Sequence, residues 1–144
     1  MEFIKRLLAE NLGGPFHLLT SKDQSFSLDE VPDLRGRVGI VTGGTEGVGF
    51  ACTYTLLSRN ISRLFILSVS QEKAEDALNM IEEKLGSKAR QAVGWKQCDL
   101  SDWEQTVHVA REISKKTDRL DIAINNAARG VMTRKIAASN GIDL

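Results

Sequence analysis

Apolar positions fall into two regimes along the chain. Near the start, Phe3, Ile4, Leu7, Leu8 and Leu12 recur at helical spacing until Gly13, Gly14 and Pro15 stop the run. This predicts an amphipathic opening helix, and the polar stretch from 17 to 34 then reads as loop. Such a helix could rest on a membrane or pack over a domain or a partner; its polar face carries both charge signs, which favours packing. Beyond residue 35, short apolar runs alternate with amphipathic stretches. Residues 38–42 and 64–68 read as strands, and 46–59 as the helix between them. Ala74, Ala77, Leu78, Ile81 and Leu85 recur at three- and four-residue steps, predicting a helix over 71–85 closed by Gly86. A third strand covers 92–98. Ser101-Asp102-Trp103-Glu104 has the S-x-x-E form of a capping box and should open a helix reaching about Lys116, before a fourth strand at 120–125.

The order is thus β-α-β-α-β-α-β, and each crossover is long enough to join parallel strands. Right-handed crossovers then give the strand order 3-2-1-4, half of a doubly wound α/β sheet, with residues 1–34 as an N-terminal helical extension and 35–144 as the domain. A length of 144 residues suits one domain, and 42% hydrophobic with 26% charged residues is ordinary for a globular chain. Nineteen basic residues balance nineteen acidic ones, so no cationic excess is available for a nucleic-acid backbone. Cys52 and Cys98 form no CxxC pair and, with His17 and His108, no metal-ligand spacing. Reduced thiols and the lack of a long apolar run suggest a cytoplasmic protein without a membrane span.

The sharpest local feature is Thr42-Gly43-Gly44-Thr45-Glu46-Gly47-Val48-Gly49, which leaves the first strand and enters the first helix. Gly43 suits a sharp turn, Gly47 removes a side chain where an anion would approach the backbone, and Gly49 allows close helix packing. The first N–H groups of a helix lack internal partners and face such an anion. Their dipole adds about 0.3–1 kcal/mol. A tight strand-to-helix turn without a ligand is the alternative.

The T-G-x-x-x-G-x-G spacing of Thr42 to Gly49 resembles the cofactor loop of short-chain dehydrogenases/reductases. Asp99-Leu100 after the third strand and Asn125-Asn126-Ala127-Ala128 after the fourth are similar to that family's further motifs, the latter to N-N-A-G. Asn140-Gly141-Ile142-Asp143 resembles the D-G-x-E stretch of the retinol-dehydrogenase-like branch. The resemblance covers about residues 36–144 and implies a Rossmann-like fold, a nicotinamide dinucleotide cofactor and hydride transfer to or from an alcohol or carbonyl of a small apolar molecule. It also implies that the backbone of Gly43 to Gly49 cradles the pyrophosphate, Asp99 with Leu100 holds the adenine, and Asn125 to Ala127 line the adenosine ribose and brace the fourth strand. Ala128 stands where the family has glycine, a change expected to shift the backbone slightly.

The second strand ends Leu67-Ser68-Val69-Ser70, without the acid that bonds a ribose 2′-hydroxyl in NAD enzymes. The branch's arginine for a 2′-phosphate aligns with Val69 and is missing too. Ser68 and Ser70 can donate, Lys73 can reach from the next helix, and Glu46 slightly disfavours an extra phosphate. NADP is the expected cofactor, with NAD open.

The same resemblance implies a catalytic Tyr with Lys four residues on, yet the single tyrosine, Tyr54, is followed at that spacing by Ser58 and reads as core packing. No catalytic and no metal-binding residue is therefore assigned, and neither His17 nor His108, which should face solvent, receives a role. The fold is expected to stop after its fourth strand, leaving an open edge. The chain then reads as the cofactor-binding half of an oxidoreductase, inactive alone. The alternative is a catalytically inactive module that binds nucleotide or a homo- or hetero-oligomeric partner through that edge. Sugar-nucleotide epimerases are a weaker match, because their loop commonly reads T-G-x-x-G-x-x-G.

Overall fold

The computed structural model describes residues 27–128. The opening stripe from Phe3 to Leu12 and the motif at 140–143 lie outside the described residues. Ser27 to Val31 belong to a unit separate from the one that starts at Pro32. Where plain loop was expected, Leu28–Glu30 make one 3-10 turn. Its cap is reciprocal: the Ser27 hydroxyl accepts from the Asp29 N–H, and Glu30 Oε1 accepts from the Ser27 N–H at 3.1 Å.

From Pro32 on, strands and helices alternate as β1 (Val38–Thr42), α1 (Gly47–Ser58), β2 (Arg63–Ser68), α2 (Gln71–Ala92), β3 (Val93–Gln97), α3 (Trp103–Ser114) and β4 (Ile122–Asn125). The strands pair in parallel in the order β3-β2-β1-β4, as right-handed crossovers require. Val41 lies opposite Ile66 and Ile124, so Thr42 ends level with Leu67 and Asn125. The strand ends thereby share one rim.

The run Leu64-Phe65-Ile66-Leu67 is buried throughout because β2 has a strand on each side and a covered surface on both faces. Phe65, 1% exposed, packs with Leu67, Val38, Cys98, Val109 and Ile113, joining β2 to α3. Burying a side chain of this size is worth about 1.5–3 kcal/mol. On α2 the expected stripe of Ala74, Ala77, Leu78 and Ile81 is buried.

Some boundaries differ from the sequence reading. Gly86 does end a helical segment, at φ 83° and ψ 174°, but helix resumes after it as far as Ala92. Residues 87–91 carry no apolar stripe to announce this. The cap of α3 is Asp102 rather than Ser101: the Asp102 carboxylate accepts from the Gln105 N–H at 3.0 Å. Ser101 instead donates both its N–H and its hydroxyl to Asp99 Oδ1, at 2.9 and 2.8 Å. Two adjacent cap-forming residues made the register ambiguous by one. The fourth strand starts at Ile122, since Asp121 is occupied by a clamp at the base of the sheet. Its carboxylate accepts from Arg119, Arg37 and the Val38 N–H.

Candidate functional site

The glycine loop is held by side chains arriving from two elements. Thr42 Oγ1 accepts from the N–H groups of Asn126 and Ala127, both at 3.0 Å. Asn126 Nδ2 returns across the gap to the carbonyls of Thr42 and Gly43, at 3.1 and 3.3 Å. The end of β4 is thus stitched to the start of the loop. On the other side, Thr53 of α1 is fully buried and its hydroxyl donates to the Gly44 carbonyl at 3.0 Å. The Gly43 N–H donates to the Leu67 carbonyl at 2.7 Å, tying the loop to β2.

Two glycines are required here for different reasons. A Cβ on Gly49 would overlap the Gly43 carbonyl oxygen and crowd Asn126, so the helix start can lie this close only without a side chain. Gly47 has φ 55°, in the left-handed region, and nothing lies within 4 Å of the place its Cβ would take. Its backbone therefore faces open space at the first turn of α1. Glu46 occupies the N-cap with φ −150° and ψ 165°, yet its side chain makes no cap bond. The cap carboxylate leaves the first-turn N–H groups to another partner, and the open face over Gly47 fits an anionic group such as a pyrophosphate. Thr45 is buried, while Glu46, Gly47 and Val48 are exposed.

Further along the rim, Ser68 is buried and its hydroxyl accepts from Trp95 Nε1 at 2.8 Å. Ser70 caps α2, its hydroxyl accepting from the Lys73 N–H at 3.3 Å. Each hydroxyl accepts in these bonds and keeps a proton to donate. Val69 between them is exposed, and its carbonyl accepts from Gln97 Nε2 at 3.0 Å. β2 and β3 continue to pair beyond their ends, with the Cys98 N–H donating to the Ser68 carbonyl at 2.9 Å. Burial pushes the Cys98 thiol above its ordinary range, consistent with a core role. The Asp99 N–H donates to Gln105 Oε1, so α3 fixes the backbone at the third strand's exit, where Leu100 is exposed. Asn125 and Ala127 are exposed at the end of β4.

The structure thus brings Thr42 to Gly49 together with Asn126 and Ala127, and sets Ser68, Ser70, Asp99 and Leu100 along the neighbouring strand ends. Asn126, expected beside a ribose, also locks the loop through its amide. Sequence reasoning missed Thr53 and Gln105. Thr53 is a hydroxyl on the buried side of α1, four residues after Gly49, and that placement was a usable signal. Tyr54 is half-buried and tilts against Phe50, with ring centroids 6.3 Å apart. His108 is 74% exposed, with Nε2 3.6 Å from Glu112.

Comparison with known proteins agrees with this geometry. The model of the short chain dehydrogenase family matches residues 37–141. The mitochondrial protein bli-4 of Neurospora crassa, named as an oxidoreductase, is 48% identical over 99% of this chain and 34% of its own length. The chloroplastic NADPH-dependent aldehyde reductase 1 of Arabidopsis thaliana is 33% identical over 80% of this chain and 41% of its own. A metagenomic short-chain oxidoreductase solved in complex with NADP superposes with a TM-score of 0.60 at 28% identity, covering 68% of this chain and 42% of that one. The chain therefore spans well under half the length of these relatives. The cytoplasmic placement expected from the sequence is corrected by bli-4, a mitochondrial protein. Separate reduced thiols and the lack of a spanning helix among the described residues suit either compartment. With its model match running from the first strand past the fourth, the chain belongs to the short-chain dehydrogenase family.

Proposed function

We propose that the rim binds NADP(H) and that this chain is the cofactor-holding part of an oxidoreductase acting on an alcohol or carbonyl of a small apolar molecule. The observation that carries the reading is the exposed, left-handed Gly47 at an uncapped helix start, with clear space above its backbone. In this reading the backbone from Gly43 to Gly49, with Thr45 buried, takes the pyrophosphate, and Thr42 and Asn126 hold that loop in shape. Asp99 and Leu100 border the adenine, while Asn125 and Ala127 border its ribose. The nicotinamide, when bound, supplies or accepts the hydride. In this reading the binding domain, expected from residue 35, also takes in Pro32 to Leu34, since the unit that holds the rim starts at Pro32 and Leu34 is buried in it.

The choice of NADP is supported by the absence of an acid at the end of β2 and by the NADPH- and NADP-linked relatives. In this reading Ser68 and Ser70, whose hydroxyls accept from Trp95 and the Lys73 N–H, donate to a 2′-phosphate. The 144 residues contain no Tyr-x-x-x-Lys, so this chain by itself is expected to bind without turnover. Titration of the 144-residue chain with NADPH and NADH, followed by nicotinamide fluorescence, tests the reading. Saturable binding that is tighter for NADPH is expected; binding of neither, or tighter binding of NADH, contradicts it. Steady reduction of a carbonyl compound by the chain alone would refute the expected inactivity.

A further inference from the structure

One charged pair reaches from the glycine loop to the next helix. Glu46 Oε2 lies 2.5 Å from Lys73 Nζ, joining the N-cap of α1 to the first turn of α2. We infer that these two residues form a competing pair that sets the discrimination for a 2′-phosphorylated dinucleotide, the phosphate replacing the Glu46 carboxylate as the partner of Lys73. The inference rests on the dinucleotide reading above and deepens it.

The placement of each residue supports it. Glu46 stands where a capping side chain would bond its own helix, yet it makes no such bond and reaches Lys73 instead. Lys73 is the third residue of α2 and its N–H is tied to the Ser70 hydroxyl, so its ammonium extends from the same turn that ends β2. From Ser68 to Ala74 it is the only cation, with Glu72 as its acidic neighbour. Within that turn, residues 68–74, a 2′-phosphate would meet no other fixed positive charge. The two side chains are 53% and 62% exposed, and an exposed pair of this kind adds little stability and exchanges partners readily. A phosphate offers Lys73 more negative charge and more acceptor oxygens than one carboxylate does. Glu46 therefore acts against the phosphate twice, by holding its cation and by repelling it.

The test is calorimetric titration of the 144-residue chain and two variants with NADP+ and NAD+, reading the ratio of the two dissociation constants. Glu46→Gln should raise the preference for NADP+ by about three- to tenfold, and Lys73→Gln should lower it by a similar factor. In the double variant, Glu46→Gln should add less than it does alone, since the cation that Glu46 holds is already gone and only its repulsion of the phosphate remains to be relieved. A merely structural role would move both constants together and leave the ratio unchanged, which would overturn the inference while sparing the dinucleotide reading. A chain that binds neither dinucleotide overturns both.

Discussion

Thr53 shows how much one hydroxyl can decide at the residue scale. Its donation to the Gly44 carbonyl pins the loop from the helix side, in a fully buried position. Thr53→Val keeps the shape but strands that carbonyl, and should lower unfolding stability by about 1–2 kcal/mol in a denaturant melt. Gly47→Ala separates fold from function more sharply. Its Cβ meets nothing, so only the left-handed backbone is strained, at a cost of about 1–2 kcal/mol. The same methyl would project into the space assigned to the pyrophosphate. Circular dichroism should therefore report a folded variant whose NADPH binding is weakened at least tenfold; wild-type affinity would place the ligand elsewhere. The glycines were legible in the sequence because each answers a backbone demand that few other residues meet. Gln105 was not, because a polar residue within an amphipathic helix declares its partner only once the facing element is in place, and the spacing of Thr53 from Gly49 marks its position but not the carbonyl it serves.

At the scale of the element, short apolar runs identified the strands, helical spacing α2 and a capping-box signature α3, while end chemistry misplaced some boundaries. Ser101 and Asp102 both suit a helix cap, and the choice was made by Asp99, which recruits Ser101. The helical piece after Gly86 has no apolar signature of its own. The base of the sheet is fixed differently, by charge. Hydrogen bonds from Arg119, the Val38 N–H and Arg37 hold the Asp121 carboxyl well below the usual carboxylate range, with Arg119 the largest influence. A lowered value in the folded state means the folded chain favours the ionised form. Its stabilisation is complete above the unfolded aspartate value of about 3.9 and fades as pH falls below it. Asp121→Asn should therefore lower the melting temperature at pH 7, with the gap to wild type narrowing on moving to pH 3. A gap that stays constant would show that charge at Asp121 does not matter.

For the molecule as a whole, β3-β2-β1-β4 order puts the ends of β1, β2 and β4 level, and this brings a loop, two serines and an asparagine turn to one rim. That order was readable from the alternation of periods together with the handedness of crossovers. The compartment was not, since two separate cysteines and a neutral charge balance record no address. Neither was the Glu46–Lys73 contact, which joins residues 27 apart through the packing of two helix starts. The proposed function stands or falls with a dinucleotide lying along this rim, over Gly47. Amide chemical-shift mapping of the isotopically labelled 144-residue chain, titrated with NADP+, tests it most directly. The largest shifts should fall on Gly43 to Gly49, with further shifts at Ser68 to Ser70 and at Asp99 and Leu100. A spectrum that does not change, or shifts confined to the base around Arg37, Arg119 and Asp121, would contradict it.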